Sequence, residues 1–169
     1  MDNNSLTHSA ISISLVLVSF ILFRGAANIV NSITVPIIFY LNYAKFDLKK
    51  YLLMILTVFI LSFLFFFQQL FFIIFYAILG GVLYHSFKKK INFIVRTIIF
   101  SITFLLGFVI TINITDIVIG TALRQALAAA AAGSEIGLVF LYLMTSVLVA
   151  VTLSFVGYQI DKRFRENFF

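Results

Sequence analysis

Apolar residues run through this chain in long blocks separated by short polar breaks, the pattern of helices that cross a bilayer. A hydrocarbon core about 30 Å thick is spanned by about 20 mostly apolar residues in an α-helix. The first block, Ser9 to Phe23, lacks the basic head and small-residue cleavage site of a secretory signal and reads as a retained helix. The polar break from Arg24 to Ser32 leads into Ile33 to Ala44, about 12 residues around the only proline, Pro36. This second element reads as a short tilted span or a re-entrant piece, since irregular backbone at membrane depth is tolerated inside protein. Tyr51 to Phe67 and Leu70 to Phe87 follow, divided by the polar turn Gln68-Gln69. Ile91 to Ile119 and Ile136 to Ile160 complete a bundle of six expected spans.

Between the last two spans lies Gly120 to Glu135, whose run from Ala126 to Ala132 has the highest helix propensity. Arg124, Gln125 and Glu135 flank it, so it reads as a short helix at the membrane surface rather than a span. Gly133 suits a helix stop and Ser134 an N-cap for the next helix.

The breaks differ in charge, and this orients the bundle. Of the 12 Lys and Arg, ten fall in three groups: Lys45, Lys49 and Lys50; Lys88, Lys89, Lys90 and Arg96; Lys162, Arg163 and Arg165. These groups follow the second, fourth and sixth elements, hence one face, which the positive-inside rule makes cytoplasmic. The C-terminus, and with six crossings the N-terminus, are then expected inside the plasma membrane. A single kinked crossing from Ser9 to Ala44 would instead put the N-terminus outside. It would also leave Arg24 at mid-membrane, at a cost of about 2.5 to 3.5 kcal/mol. The net charge of +6 is accounted for by this rim, without nucleic acid as a partner.

Composition agrees with the pattern. The chain is 63% hydrophobic and only 11% charged, where soluble domains carry about 25% charged residues. With 169 residues and six spans there is no room for a separate soluble domain, so the chain is one transmembrane domain. Cysteine is absent, which removes disulfides, thiolate metal ligands and cysteine nucleophiles. No zinc-binding, nucleophile-elbow or phosphate-loop motif occurs, and His8 and His85 have no paired acid. Neither an enzyme nor a resident cofactor or metal is expected. Ion-coupled carriers place a charged side chain near mid-membrane. No Asp, Glu, Lys or Arg lies between Tyr51 and Phe87 or between Ile136 and Ile160, which argues against a self-contained carrier.

In lipid, helix contacts are marked by small and weakly polar residues. Thr103, Gly107, Thr111 and Thr115 recur every four residues on the fifth span, and Ser146, Ala150 and Ser154 on the sixth, extended by Tyr142 and Tyr158. Ala77 with Gly81, and Ala10 with Ser14, make shorter pairs. The segments Phe63 to Phe67 and Phe71 to Phe75 are bulky nearly all round and read as facing lipid or a large apolar partner. Most other polar residues collect at the outer breaks: Arg24, Asn28 and Asn31; Gln68 and Gln69; Asn113, Asp116, Arg124, Gln125 and Glu135. Convergent polar groups above apolar walls form a small-molecule site. Ordinary loop hydration produces the same list.

The opening Thr7-His-Ser-Ala-Ile-Ser-Ile-Ser-Leu-Val16, the break before Val35-Pro-Ile-Ile-Phe-Tyr40, and Ala77-Ile-Leu-Gly-Gly81 before a basic loop give a pattern over residues 7–120. This pattern resembles the substrate-binding S subunits of energy-coupling factor transporters, and is similar to the related YybS-like family of membrane proteins. The resemblance implies capture of a vitamin-like ligand or metal from the outer face, with a shared transmembrane coupling subunit and ATPases supplying energy. In that family a first-helix Ala-x-x-x-Ala motif docks the coupling subunit; here the place reads Ala10-Ile-Ser-Ile-Ser14, with serine second. The expectation is therefore a substrate-capture subunit, and the alternative a structural or accessory protein of an envelope complex.

Overall fold

Short polar side chains set the helix starts. In a computed structural model, which describes residues 3–23 and 28–168, Asn28 Oδ1 accepts from Val30 N at 2.8 Å. Asp47 Oδ1 likewise accepts from Lys50 N at 3.1 Å, and Asn92 Oδ1 from Ile94 N at 3.1 Å. Each bond satisfies one of the orphan donors of a first helical turn. The described residues form α1 (Asn3–Leu22), α2 (Ile29–Lys45), α3 (Leu48–Phe65), a single 3-10 turn (Phe67–Gln69), α4 (Leu70–Lys88), α5 (Phe93–Ile119), α6 (Leu123–Ala130) and α7 (Glu135–Phe168). No strand occurs among them. Gly120 takes φ of +75° where α5 ends, a conformation glycine adopts without steric cost; beyond the end of α6 at Ala130 the left-handed conformation is taken first by Ala132, at +58°, and then by Gly133, at +72°. Ser134 Oγ then accepts from Gly137 N at 2.9 Å, as an N-cap does.

Four stretches are long and apolar enough to cross a membrane: Leu48–Phe65, Phe67–Lys88, Phe93–Ile119 and Glu135–Arg163. The chain is an all-α, multi-pass membrane protein. The apolar part of α1, Leu6–Leu22, is shorter, and α2 has 17 residues, longer than the 12 read from sequence because its helix starts before Ile33 and continues through Pro36. These two helices are antiparallel. Ser12 Oγ donates to Asn42 Oδ1 at 3.0 Å and Ser19 Oγ to Asn31 Oδ1 at 2.7 Å, so residues far apart along α1 meet α2 in reverse order. Ser9 to Ala44 is thus a helical hairpin and not one kinked rod.

The centre of the bundle is α4, which touches α2, α3, α5 and α7. This corrects the expectation that Phe71 to Phe75 faces lipid. Within Phe67–Lys88, 61% of the best apolar window is buried, against 22% for α3. Phe72 and Ile73 are fully buried and Phe75 nearly so. Their rings stack with those of α5: Phe75 lies 5.4 Å from Phe104 and Phe72 lies 6.1 Å from Phe108, centroid to centroid. Edge and tilted geometries of this kind stabilise aromatic pairs beyond the area they bury. In the Phe63 to Phe67 segment Phe63, Leu64, Phe65 and Phe67 are exposed, while Phe66 packs on Phe20 of α1; farther back along α3, Leu52, Leu56 and Ile60 are exposed too.

Close approach at glycine admits these large rings. A Cβ on Gly107 would lie 2.3 Å from Phe75 Cε2, so α5 accepts the Phe75 ring only because no side chain is there. A Cβ on Gly157 of α7 would lie 2.8 Å from Phe87 Cε2. On α4 the tight contact is at Gly80 and not at Gly81. A Cβ on Gly80 would meet Phe39 Cβ at 2.7 Å and the α2 backbone at 3.0 Å, whereas one on Gly81 would find only Tyr43 Cε2 at 4.0 Å. Ala77 is buried, and its carbonyl accepts from Tyr51 Oη at 3.0 Å.

Thr111, Thr115, Ser146, Ala150 and Ser154 are buried along the α5 and α7 stripes, and Thr103 is half-buried. Tyr142 is buried but Tyr158 is exposed, so the α7 stripe does not continue to Tyr158. Ala10 and Ser14 are exposed and do not serve packing within the chain. The inward face of α1 is instead Ser12, Val16, Ser19 and Phe20, because hydrogen bonds to Asn31 and Asn42 fix its rotation.

Candidate functional site

The polar residues expected to converge at one mouth divide among three places. Arg24 lies outside the described residues. Asn28 caps α2. Asn31 is fully buried, accepting from Ser19 and donating Nδ2 to the Phe23 carbonyl at 2.8 Å, so it staples the end of α1 to α2. Beside it, Ser32 Oγ and Tyr76 Oη are 3.3 Å apart and tie α2 to α4. In the 3-10 turn, Gln68 is exposed and Gln69 is buried.

The third place is built by α5, α6 and α7. Asp116, near the end of α5, accepts from Thr121 Oγ1 and from Leu123 N at 2.8 Å through Oδ1, and from Arg124 N at 2.9 Å through Oδ2. It therefore acts as the N-cap of α6, contributed from another helix, and fixes where Arg124 begins. Asp116 is committed to that cap. Arg124 Nη2 then reaches both carboxylate oxygens of Glu135, at 3.1 and 3.2 Å. The pair is open to solvent, with side chains 52% and 75% exposed, so it contributes only about 0.2 to 1 kcal/mol and its two charges remain available to a ligand. Gln125 is exposed beside them.

Arg124, Glu135 and Asn113 line one cavity of about 390 Å³, whose walls are Leu105, Val109, Leu138, Val139 and Leu143, with Tyr142 among them. Small-molecule sites have this form and this size, about 300 to 1,000 Å³. Asn113 Nδ2 is held by the Val109 carbonyl at 2.8 Å, which leaves its Oδ1 as an acceptor toward the cavity. Three of the expected site residues are thus brought together, while Asn28, Asn31 and Asp116 hold helices in place.

A larger cavity, about 550 Å³, opens at the opposite, basic end, between the end of α4, the start of α5 and the end of α7. Charge counting assigns Arg96 to the solvated rim, yet it is only 4% exposed. Its guanidinium carbon lies 4.1 Å from the Phe87 ring centroid, within cation–π range. Its Nη2 reaches the Ser154 carbonyl at 3.4 Å. The overlooked signal is spacing: Arg96, Phe100, Phe104 and Phe108 recur every four residues, and the last three are core. A residue in that series shares the buried face whatever its charge.

Compared with protein-family models, curated proteins and solved structures, the chain finds no match.

Proposed function

We propose that this chain is the substrate-capture subunit of a transporter, binding a small amphipathic, vitamin-like nutrient in the cavity between α5, α6 and α7. The observation that carries this reading is that the cavity combines an arginine, a carboxylate, an amide and a tyrosine with aliphatic walls. A ligand with its own charged group would exchange with the weak Arg124–Glu135 pair while its apolar part lies against Leu138 and Val109. In this reading α1 and α2 also cross the bilayer, making six crossings, and the basic rim is cytoplasmic, so the cavity faces outward. With no charged residue between Tyr51 and Phe87 or between Ile136 and Ile160, energy comes from a partner coupling subunit and ATPases. The exposed Ala10 and Ser14 are the proposed contact for that subunit.

The test is mass spectrometry of gently purified protein, followed by binding of vitamins, flavins and nucleobases to the wild type and to Arg124→Ala and Glu135→Ala. Ligand retention should fall at least about tenfold in either variant, while stability changes by less than about 1 kcal/mol. A wild-type protein that binds none of these and never co-purifies with an ATPase would overturn the reading.

A scaffold role in a larger envelope complex has its own support in the exposed apolar face of α3 formed by Leu52, Leu56, Ile60 and Phe63. Under that role Arg124→Ala is silent, and Leu56→Ser with Ile60→Ser releases a partner from the purified complex.

A further inference from the structure

Among the described residues, the lining of the basic-end cavity has three cations, Lys90, Arg96 and Lys162, and one carboxylate, Asp161. A buried arginine in an apolar bundle is costly unless its charge is answered. Here Arg96 donates to the Ser154 carbonyl at a long 3.4 Å, and its Nε has no hydrogen-bond partner although it is fully enclosed. Asp161 answers the charge in part while also accepting from Tyr40 Oη at 3.2 Å. The Phe87 ring centroid lies 4.1 Å from the guanidinium carbon and that of Phe93 5.7 Å, so aromatic rings flank the cation where it lines the cavity. The positive end of α5, a helix of 27 residues, opens at the same place, beside Phe93. The flanks are apolar and exposed: Ile94 at 65% and Tyr158 at 50%.

From the enclosed guanidinium, the excess of cations and the apolar flanks, we infer a binding site for a phosphate oxyanion, supplied by the headgroup of an anionic phospholipid. The planar guanidinium donates to phosphate oxygens, Lys90 and Lys162 close over the anion from the rim, and acyl chains lie along Ile94 and Tyr158. Basic pockets between helices at a membrane boundary recognise lipid headgroups through this chemistry. The site is distinct from the α5–α6–α7 cavity, at the other end of the bundle, and does not depend on what that cavity takes.

The experiment uses the full chain in mild detergent, with phosphatidylglycerol or phosphatidylcholine added and bound lipid counted by native mass spectrometry. Phosphatidylglycerol should be retained in clear preference to phosphatidylcholine and should raise Tm. Arg96→Gln should reduce retention about fivefold or more, as removal of one cation near an anionic headgroup does. Because Arg96 is buried and its variant can misfold, the rim variant Lys90→Ala with Lys162→Ala provides the second measurement and should lose retention more than tenfold. Lys45→Ala with Lys49→Ala, outside the cavity, should leave retention unchanged. Equal retention of the two lipids, or equal loss from the Lys45 and Lys90 pairs, would overturn the site. Millimolar inorganic phosphate that raises Tm as far as phosphatidylglycerol and displaces it would support the oxyanion site and overturn the lipid as its source.

Discussion

Gly80 and Gly81 are neighbours on α4, yet a single added methyl should act oppositely at the two. At Gly80 the new Cβ would sit 2.7 Å from Phe39 Cβ and 3.0 Å from both Pro36 O and Tyr40 N. Carbon atoms in contact prefer about 3.5 to 4.0 Å, so the first contact is short by about 1 Å. Two of the three obstacles are backbone, so α2 as a whole must move. Overpacking of this kind costs about 1 to 3 kcal/mol, against which alanine regains up to about 1 kcal/mol of helix propensity. Gly80→Ala is therefore expected to lose up to about 2 kcal/mol. At Gly81 the new atom meets only Tyr43 at 4.0 Å, an ordinary contact, so Gly81→Ala keeps the propensity gain and is neutral or stabilising. For a chain of this size 1 kcal/mol moves Tm by about 2 to 4 °C, and since the propensity gain is common to both variants, the overpacking cost separates them by about 2 to 12 °C. Thermal unfolding in mild detergent, followed by far-ultraviolet circular dichroism, measures this. Equal midpoints, or a lower midpoint for Gly81→Ala, would refute the close approach of α2 and α4.

Replacing Asn31 with Leu removes its bonds to Ser19 and to the Phe23 carbonyl, leaving the Ser19–Thr34 contact at 3.1 Å, and should cost about 1 to 2 kcal/mol in the same assay; the loss should be absent in Asn28→Ser, which retains an N-cap. Asp116→Asn turns one acceptor of the α6 cap into a donor facing Arg124 N. It should destabilise α6 locally by about 1 kcal/mol, seen as faster amide hydrogen exchange over Leu123–Ala130 with little change in global Tm.

The membrane class, the extents of α3, α4 and α5 and the start of α7 were legible in the sequence, because length and continuous apolarity mark helices suited to a bilayer; α7 runs on past the expected Ile160 to Phe168, where the polar composition gave no apolar signal. The short α6 and the Ser134 cap were legible for a related reason, since those residue types have few other uses at those places; the helix stop falls at Ala132, one residue before the expected Gly133. Burial was not. When nearly every residue is apolar, hydrophobicity no longer distinguishes inside from outside. The Phe-rich α4 therefore looked like α3, although Gly107 and Gly157 make room for its Phe75 and Phe87 rings and its own Gly80 admits Phe39 of α2. Polarity misled in the same way: Asn31, Asp116 and Arg96 are polar as surface loops are, yet each is occupied with packing one helix on another. For the candidate site, Asn113, Arg124 and Glu135 were visible as residues, but their meeting depends on the Asp116 cap, which no spacing announces.

The hairpin of α1 and α2 bears on how the protein enters its membrane. Ser32 and Asn42 are buried on α2 together with Asn31. Asn31 and Asn42 find partners on α1, and Ser32 lies beside Tyr76 of α4. In the proposed six-crossing arrangement, an α2 inserted by itself would carry the Asn31 amide and the Asn42 Oδ1 unmatched into hydrocarbon, at a cost of several kcal/mol, whereas Ser32 Oγ already donates to the Asn28 carbonyl at 3.1 Å and Asn42 Nδ2 to the Ile38 carbonyl at 2.6 Å. Delivery as a pair with α1 answers the two asparagines at once. The newly made chain thus has a reason to hold its second helix back until the first is beside it, and the N-terminal hairpin becomes the natural unit of insertion.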